Sequence, residues 1–230
     1  KTYGSIIVEN TTYKDSRGVY EMDSLNVNIT ENHFDSKDVS VECDFFDMNI
    51  NGIINFSKIG NTFKNYVLEY FYVNKWGDKG VKLEDNNQDF YMNLTLKDTE
   101  TLSRLLMPNL RISNNTNLTA TFTSNNYQLY STLMSDEVSY NDFKFNNIYF
   151  RNKTSNDKST ANVTIKEFVI KERTEKNNIK LSLENLNLLL DAHCDSLLFN
   201  VLWDDEVTED RNKANIEASF VAHDEYGGTM

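Results

Sequence analysis

The chain has 230 residues, of which 39% are hydrophobic, and this is enough to bury a core in one or two domains. Its 23 basic and 35 acidic residues give a net charge of -12, which argues against nucleic acid as a partner. No run reaches the roughly 18 apolar residues of a spanning helix and the start lacks a signal-peptide layout, so we interpret the chain as a piece of a longer protein whose anchor lies elsewhere.

Apolar and polar residues alternate along most of the chain, which is typical of strands with one apolar face. The apolar runs are Leu25, Val27, Ile29; Phe46, Met48, Ile50; Phe90, Met92, Leu94, Leu96; Leu118, Ala120, Phe122; Val163, Ile165; Leu186, Leu188, Leu190; Leu197, Phe199, Val201, Trp203; and Ile216, Ala218, Phe220. Pairs of residues that favour tight turns follow or separate them: Asn51-Gly52, Asn125-Asn126, Asn141-Asp142 and Asn146-Asn147. The sequence therefore predicts an all-β fold, an elongated and curled antiparallel sheet that forms a single groove over residues 1–230.

The alternation changes phase between Phe45 and Phe46. Val41 and Cys43 share one parity with Phe45, whereas Met48 shares the other parity with Phe46. A β-bulge that restores a single apolar face is the favoured interpretation, and a break between two strands is the alternative.

One segment has helical rather than strand periodicity. Ile59, Phe63, Tyr66, Val67 and Tyr70 follow one another at steps of four, three, one and three residues. This spacing predicts an amphipathic helix near residues 58–73, within a helical insertion at about 57–75. We expect the helix to cover one end or edge of the sheet and to bury Phe63, Tyr66, Val67 and Tyr70.

A second, shorter helix is predicted near residues 99–106. Asp98 stands where an N-cap residue is expected, and Pro108 comes just after the predicted end.

The sequence shows no catalytic or metal-binding motif, so we expect no enzyme activity, no cofactor and no metal. His193, Cys194 and Asp195 adjoin, but successive strand residues point to opposite faces, and a hairpin turn is the favoured interpretation. The acidic run 204–206 lacks the ligand alternation of a calcium loop. Cys43 and Cys194 are expected to be buried thiols, with a pairing between them left open.

Several segments resemble TamB-like proteins of the Bacteroidetes, which belong with the TamB/AsmA-type translocation and assembly proteins. They are Phe46–Gly52, Ile54–Ile59, the helix ending at Tyr70-Phe71, Phe90–Leu96 and the strand pair within Leu186–Trp203. The resemblance implies a periplasmic protein, anchored in the inner membrane, whose U-shaped sheet or β-taco has a hydrophobic concave face. It implies a role in phospholipid transport between membranes or in outer-membrane protein assembly.

The partners that the resemblance implies are phospholipid acyl chains or nascent outer-membrane strands. A TamA- or BamA-type outer-membrane barrel would be reached through parts outside this chain. The residues expected to line the groove are Met48, Ile50, Met92, Leu94, Phe122, Leu188, Leu190, Phe199 and Val201. The alternative function is a structural or adhesive β-sandwich domain of a secreted surface protein, which a sealed core of two sheets would favour.

Overall fold

The computed structural model describes residues 3–16, 18–32, 35–71, 87–155, 158–173, 178–193, 196–204 and 213–221. The strands are β1 (Gly4–Asp15), β2 (Gly18–Glu31), β3 (Ser36–Cys43), β4 (Phe46–Ile53), β5 (Asp89–Leu96), β6 (Leu110–Ile112), β7 (Asn117–Thr123), β8 (Gln128–Tyr140), β9 (Phe143–Ser155), β10 (Lys158–Arg173), β11 (Asn178–His193), β12 (Ser196–Asp204) and β13 (Lys213–Val221). The helices are α1 (Ile59–Phe71) and α2 (Thr99–Leu106).

All thirteen strands belong to one antiparallel sheet. Its order follows the chain from β1 to β5 and from β7 to β13, and the short β6 pairs separately with β8. Within the described residues β1 and β13 form the two edges and do not pair with each other. The predicted all-β fold, with one open antiparallel sheet and two short helices, is therefore confirmed.

The phase change near residue 45 marks a turn. β3 ends at Cys43, β4 begins at Phe46, and Glu42 pairs with Asp47 across the hairpin. The favoured prediction of a β-bulge is therefore wrong, and the alternative of two separate strands is correct. The parity changes because the two-residue connection, Asp44-Phe45, places Cys43 and Phe46 opposite each other on one face.

Two of the four predicted turns join strands. Asn141-Asp142 connects β8 to β9, and Asn125-Asn126 lies in the 3-10 turn between β7 and β8. The other two predictions are wrong, because Asn51-Gly52 lies inside β4 and Asn146-Asn147 lies inside β9. These residues tolerate positive φ, and the strands use that freedom without reversing direction.

A line of interrupted pairing crosses β9, β10 and β11. Asn147 and Asn185, with φ of 51° each, lie on either side of Lys166, and the ladder skips all three residues. The apolar positions of β10 change parity there, from Ile165 to Phe168. Phe168 then stacks on a ring of β9, that of Phe145, at 4.9 Å between centroids.

Helix α1 packs on the central strands through the stripe Thr62, Tyr66 and Tyr70, which are 1%, 5% and 3% exposed. The predicted burial of Tyr66 and Tyr70 is confirmed. That of Phe63 and Val67 is wrong, since these side chains are 42% and 51% exposed. The residues at positions i, i+4 and i+8 face the sheet, and Phe63 lies at the flank of this contact.

The main core lies between α1 and the strands β3, β4, β5 and β7. Phe122, at its centre, is 1% exposed, and its ring contacts those of Phe63, Tyr66 and Phe90 with centroids 5.8, 6.3 and 5.8 Å away. The buried members of this core are Val39, Ile50, Ile54, Tyr66, Tyr70, Phe90, Phe122 and Tyr127.

Helix α2 has the predicted bounds and the predicted cap. The Asp98 side chain accepts a hydrogen bond from the Thr101 amide at 3.2 Å. The Arg104 guanidinium lies over the ring of Tyr20, 5.6 Å from its centroid, and the Arg104 carbonyl accepts a hydrogen bond from the Tyr20 hydroxyl. Helix α2 therefore packs against β2.

Candidate functional site: the apolar face of the sheet

One face of the sheet carries an unbroken row of apolar side chains, which we call the apolar row. Each of the twelve strands on the main path contributes one residue, and each residue is the cross-strand partner of the next. The row is Ile6, Val27, Val41, Met48, Leu94, Leu118, Leu133, Phe150, Val163, Leu188, Val201 and Ile216. Because neighbouring strands lie about 4.8 Å apart, the row is about 50 Å long along the sheet.

The opposite face carries a polar row in the same register. It consists of Ser5, Asn28, Ser40, Asn49, Asn93, Thr119, Thr132, Arg151, Asn162, Leu189, Asn200 and Glu217. Leu189 is its one apolar member. Hydrogen bonds join neighbours in the row, such as the hydroxyls of Thr119 and Thr132 at 2.7 Å. The two faces therefore differ in chemistry, as expected for an antiparallel sheet with one solvated face.

The apolar row is only partly covered. Its ends, Ile6 and Ile216, are 60% and 54% exposed, and its inner members are partly buried. Helix α1 lies on this face over the parallel row that contains Phe90 and Phe122. Among the described residues no second sheet stacks on the apolar face, so it is a long apolar surface that a helix covers in part.

All nine residues predicted to line a groove lie on the face of the apolar row. Ile50 and Phe122, which are 7% and 1% exposed, are buried beneath α1 and belong to the core, so they do not line an open surface. The other seven are partly exposed: Met48, Met92, Leu94, Leu188, Leu190, Phe199 and Val201.

A buried polar triangle fixes α1 on the sheet. The Tyr66 hydroxyl lies 3.2 Å from the Ser159 hydroxyl and accepts a hydrogen bond from the Asn152 amide at 3.1 Å, and Ser159 donates to the Asn152 side-chain oxygen at 3.0 Å. Burial raises the pKa of Tyr66 above its usual 10.0, although the hydrogen bonds to Ser159 and Asn152 act in the opposite direction. Each polar group in the triangle thus has partners, and the helix is held in one position.

Among the described residues, the side chains with potential for chemistry do not form a cluster. His193 is the last residue of β11, whereas Cys194, Asp195 and most of the acidic run lie outside the described residues. Cys43 is a buried free thiol, as predicted, whereas Cys194 lies outside the described residues. In the described ranges no three His, Cys, Asp or Glu side chains are grouped to hold a metal ion, and no helix has the length and hydropathy to cross a membrane.

The strand alternation identified the apolar face, but it did not reveal the row or the triangle. The row depends on the register of every pair of neighbouring strands, and each connection sets the register of its own pair separately. The triangle joins a helix to residues 86 and 93 positions further along the chain, and no local pattern links them.

Comparisons with known proteins identify no relative of the chain. No protein family matches it. No curated protein and no solved structure is significantly similar to it. Its function must therefore be argued from the sequence and from the geometry of the two faces.

Proposed function

We propose that this chain is a non-catalytic hydrophobic β-groove of a TamB-like envelope protein, whose apolar row binds phospholipid acyl chains or nascent outer-membrane strands. The observation that carries the proposal is the apolar row itself, which continues through twelve strands of a single-layer sheet. A contiguous exposed apolar surface of this extent is typical of a binding surface, because isolated soluble domains rarely leave one open.

The shape of the row suits a linear apolar ligand. Each methylene group that moves from water onto the row contributes about 0.8 kcal/mol, so an acyl chain in contact along its length binds without any polar anchor. The row runs across the strands and contains no charged side chain. A ligand could therefore slide along it without crossing a desolvation barrier.

The cellular context of the proposal comes from the sequence resemblance. Two of the segments that carry it, Phe46–Gly52 and Phe90–Leu96, form the neighbouring strands β4 and β5 and contribute Met48 and Leu94 to the apolar row. On this proposal the chain lies in the periplasm, in a protein anchored in the inner membrane that reaches an outer-membrane barrel of the TamA or BamA type. It would serve phospholipid transport or outer-membrane protein assembly.

Three substitutions on known faces test the proposal. Phe199→Asp places a charge on the apolar face at a side chain that is 37% exposed, and Leu202→Asp places one at a 43% exposed side chain of the same strand on the opposite face. Phe122→Asp provides the reference for a sealed core. Thermal unfolding and native mass spectrometry of co-purified phospholipid are measured for each variant and for the wild type.

We expect Phe199→Asp to melt near the wild type and to lose phospholipid, and Leu202→Asp to keep both properties. Phe122→Asp should unfold, because an unpaired charge in a sealed core costs several kcal/mol. The proposal is wrong if Phe199→Asp unfolds as Phe122→Asp does, or if it retains as much phospholipid as Leu202→Asp.

The alternative, a structural or adhesive β-sandwich domain, needs a second layer over the apolar row. If a second copy supplies that layer, the wild type is a lipid-free dimer at micromolar concentration and Phe199→Asp is a monomer. Light scattering after size-exclusion chromatography distinguishes this outcome from the proposed lipid-loaded groove.

A further inference from the structure

The polar face carries its charges in separate groups. On β3, β4 and β5 the charged residues of this face are acidic: Asp38, Glu42, Asp47 and Asp89. In the part of β9 and β10 that pairs residues 148–155 with 158–165 they are basic: Arg151, Lys153 and Lys158. A basic group is unexpected in a chain with 23 basic and 35 acidic residues, so its position on the sheet calls for an explanation.

The three basic residues line one depression, which we call the basic depression. It has a volume of about 630 Å³, and its other lining residues are Tyr149, Ser155, Thr160, Asn162, Thr164 and Leu189. Lys153 is the cross-strand partner of Thr160, and Arg151 is the partner of Asn162. Lys158 is the partner of Ser155, so Lys153 is its diagonal neighbour and lies between Lys158 and Arg151 along the depression.

Carboxylates neutralise this charge only in part. Lys158 forms an ion pair with Asp191 at 2.8 Å, and the Arg151 guanidinium lies over the ring of Tyr130, 5.3 Å from its centroid. Burial alone would raise the pKa of Asp191, but hydrogen bonds from Lys158 and Thr160 and the Lys158 charge outweigh it and lower that pKa. Among the described residues neither Arg151 nor Lys153 has an ion-pair partner.

We propose that the basic depression binds a phosphate group, as the free ion, a soluble ester or the headgroup of a lipid. The Arg151 guanidinium matches the geometry of two phosphate oxygens, and the Lys153 ammonium supplies a second positive charge. The side-chain amide of Asn162, the cross-strand partner of Arg151, offers a further donor. Leu189 extends the site toward β11 and provides apolar contact for the organic part of an ester.

The site lies on the face opposite the apolar row, so it is independent of the proposed groove. The double variant Arg151→Glu and Lys153→Glu reverses both charges and leaves the Lys158–Asp191 pair in place. Lys64→Glu, at an exposed position of α1, is the control for a charge reversal away from the site. Circular dichroism establishes that each variant is folded.

The probes are inorganic phosphate and glycerol 3-phosphate, measured by calorimetry, and vesicles of phosphatidylcholine with or without phosphatidylglycerol, measured by flotation. We expect the wild type and Lys64→Glu to bind at least one of these probes. The double variant should bind the same probe with an affinity lower by about tenfold or more. Binding of glycerol 3-phosphate supports a soluble ester, and binding only of phosphatidylglycerol vesicles supports a lipid headgroup. The proposal is wrong if the wild type binds no phosphate probe, or if the double variant and Lys64→Glu bind equally.

Discussion

Gly52 lies in β4 opposite Phe90 of β5, and its backbone has a φ of 136°. A Cβ atom at this position would lie 2.2 Å from the Asp89 carbonyl oxygen and 2.7 Å from the Phe90 Cα. Both atoms belong to the backbone of a central strand, so they cannot move without displacing the ladder. Gly52 therefore allows β5 to approach β4 closely beside the core.

We expect Gly52→Ala to lower the free energy of unfolding by about 3 kcal/mol or more, because it combines backbone strain with a backbone clash. Gly60→Ala is the matched control. A Cβ there meets nothing within 4 Å, and alanine favours the helix by about 0.5–1 kcal/mol. Urea unfolding of both variants measures the difference. If Gly52→Ala had the same free energy of unfolding as Gly60→Ala, the inference that β4 and β5 approach too closely for a side chain would be wrong.

The sequence indicated that Gly52 and Asn147 adopt an unusual backbone conformation, but it did not reveal whether that conformation forms a turn or lies within a strand. Asn-Gly and Asn-Asn pairs tolerate positive φ, and a hairpin turn is the commonest use of that property. In β4 the glycine allows a close contact, and in β9 the asparagine lies where the strand pairing is interrupted. The neighbouring strand determines which of these uses the backbone conformation has, and a local sequence pattern carries no information about that strand.

Helix α1 is the element whose position depends most on buried polar contacts. Its orientation was only partly predictable, because the buried face is rotated toward Thr62, a polar residue that the apolar spacing does not mark. The buried triangle of Tyr66, Asn152 and Ser159 selects one orientation, and it leaves Val67 exposed.

We expect Tyr66→Phe to destabilise the protein by about 1–3 kcal/mol, since it leaves the buried amide of Asn152 and hydroxyl of Ser159 each short of a partner. Phe63→Leu, at the exposed flank of α1, should change stability less. Denaturant unfolding monitored by fluorescence gives both values. Equal effects of the two substitutions would show that the triangle does not hold the helix.

Because the pKa of Tyr66 is raised in the folded protein, the stability of the protein depends on pH in the alkaline range. In the unfolded chain Tyr66 loses its proton near pH 10.0, and in the folded protein it does so at a higher pH. The stabilisation by the neutral Tyr66 hydroxyl is therefore complete below pH 10.0 and declines as the pH rises through the folded pKa. The stability advantage of the wild type over Tyr66→Phe should therefore shrink above pH 10. An advantage that stayed constant through this range would contradict the assigned burial of the hydroxyl.

At the scale of the whole molecule, the buried residues are not evenly spread. The main core lies under α1 against β3, β4, β5 and β7, whereas the edges expose Ile6 and Ile7 in β1 and Phe220 and Val221 in β13. Within the described residues each strand of the main path pairs with its immediate neighbours, and only β8 has a further partner, the short β6. Such nearest-neighbour pairing favours local opening of the least covered parts.

We expect amide hydrogen exchange to be slowest in β4, β5 and β7 and fastest in β1 and β13. Mass spectrometry of peptides along the chain measures this gradient. Uniform protection of all strands would indicate one cooperative unit, contrary to this expectation.

Much of the architecture was predictable from the chain itself. Alternation identified the strands, and the three- and four-residue spacing identified α1 because these periods are properties of single elements. The alignment of Met48 with Leu94 and of Leu188 with Val201 was not predictable as part of one row. It depends on the register of every strand pair, which no single element records.

A sheet whose strands pair in chain order can change its length by whole hairpins. Removing β10 and β11 would bring β9 beside β12 in the same antiparallel sense, with Phe150 placed to meet Val201. Each hairpin gained or lost would change the apolar row by two side chains and about 10 Å. Duplication of a hairpin in the gene would thus lengthen the surface without any new topology, and the span of the protein would be a property that evolution adjusts in fixed steps.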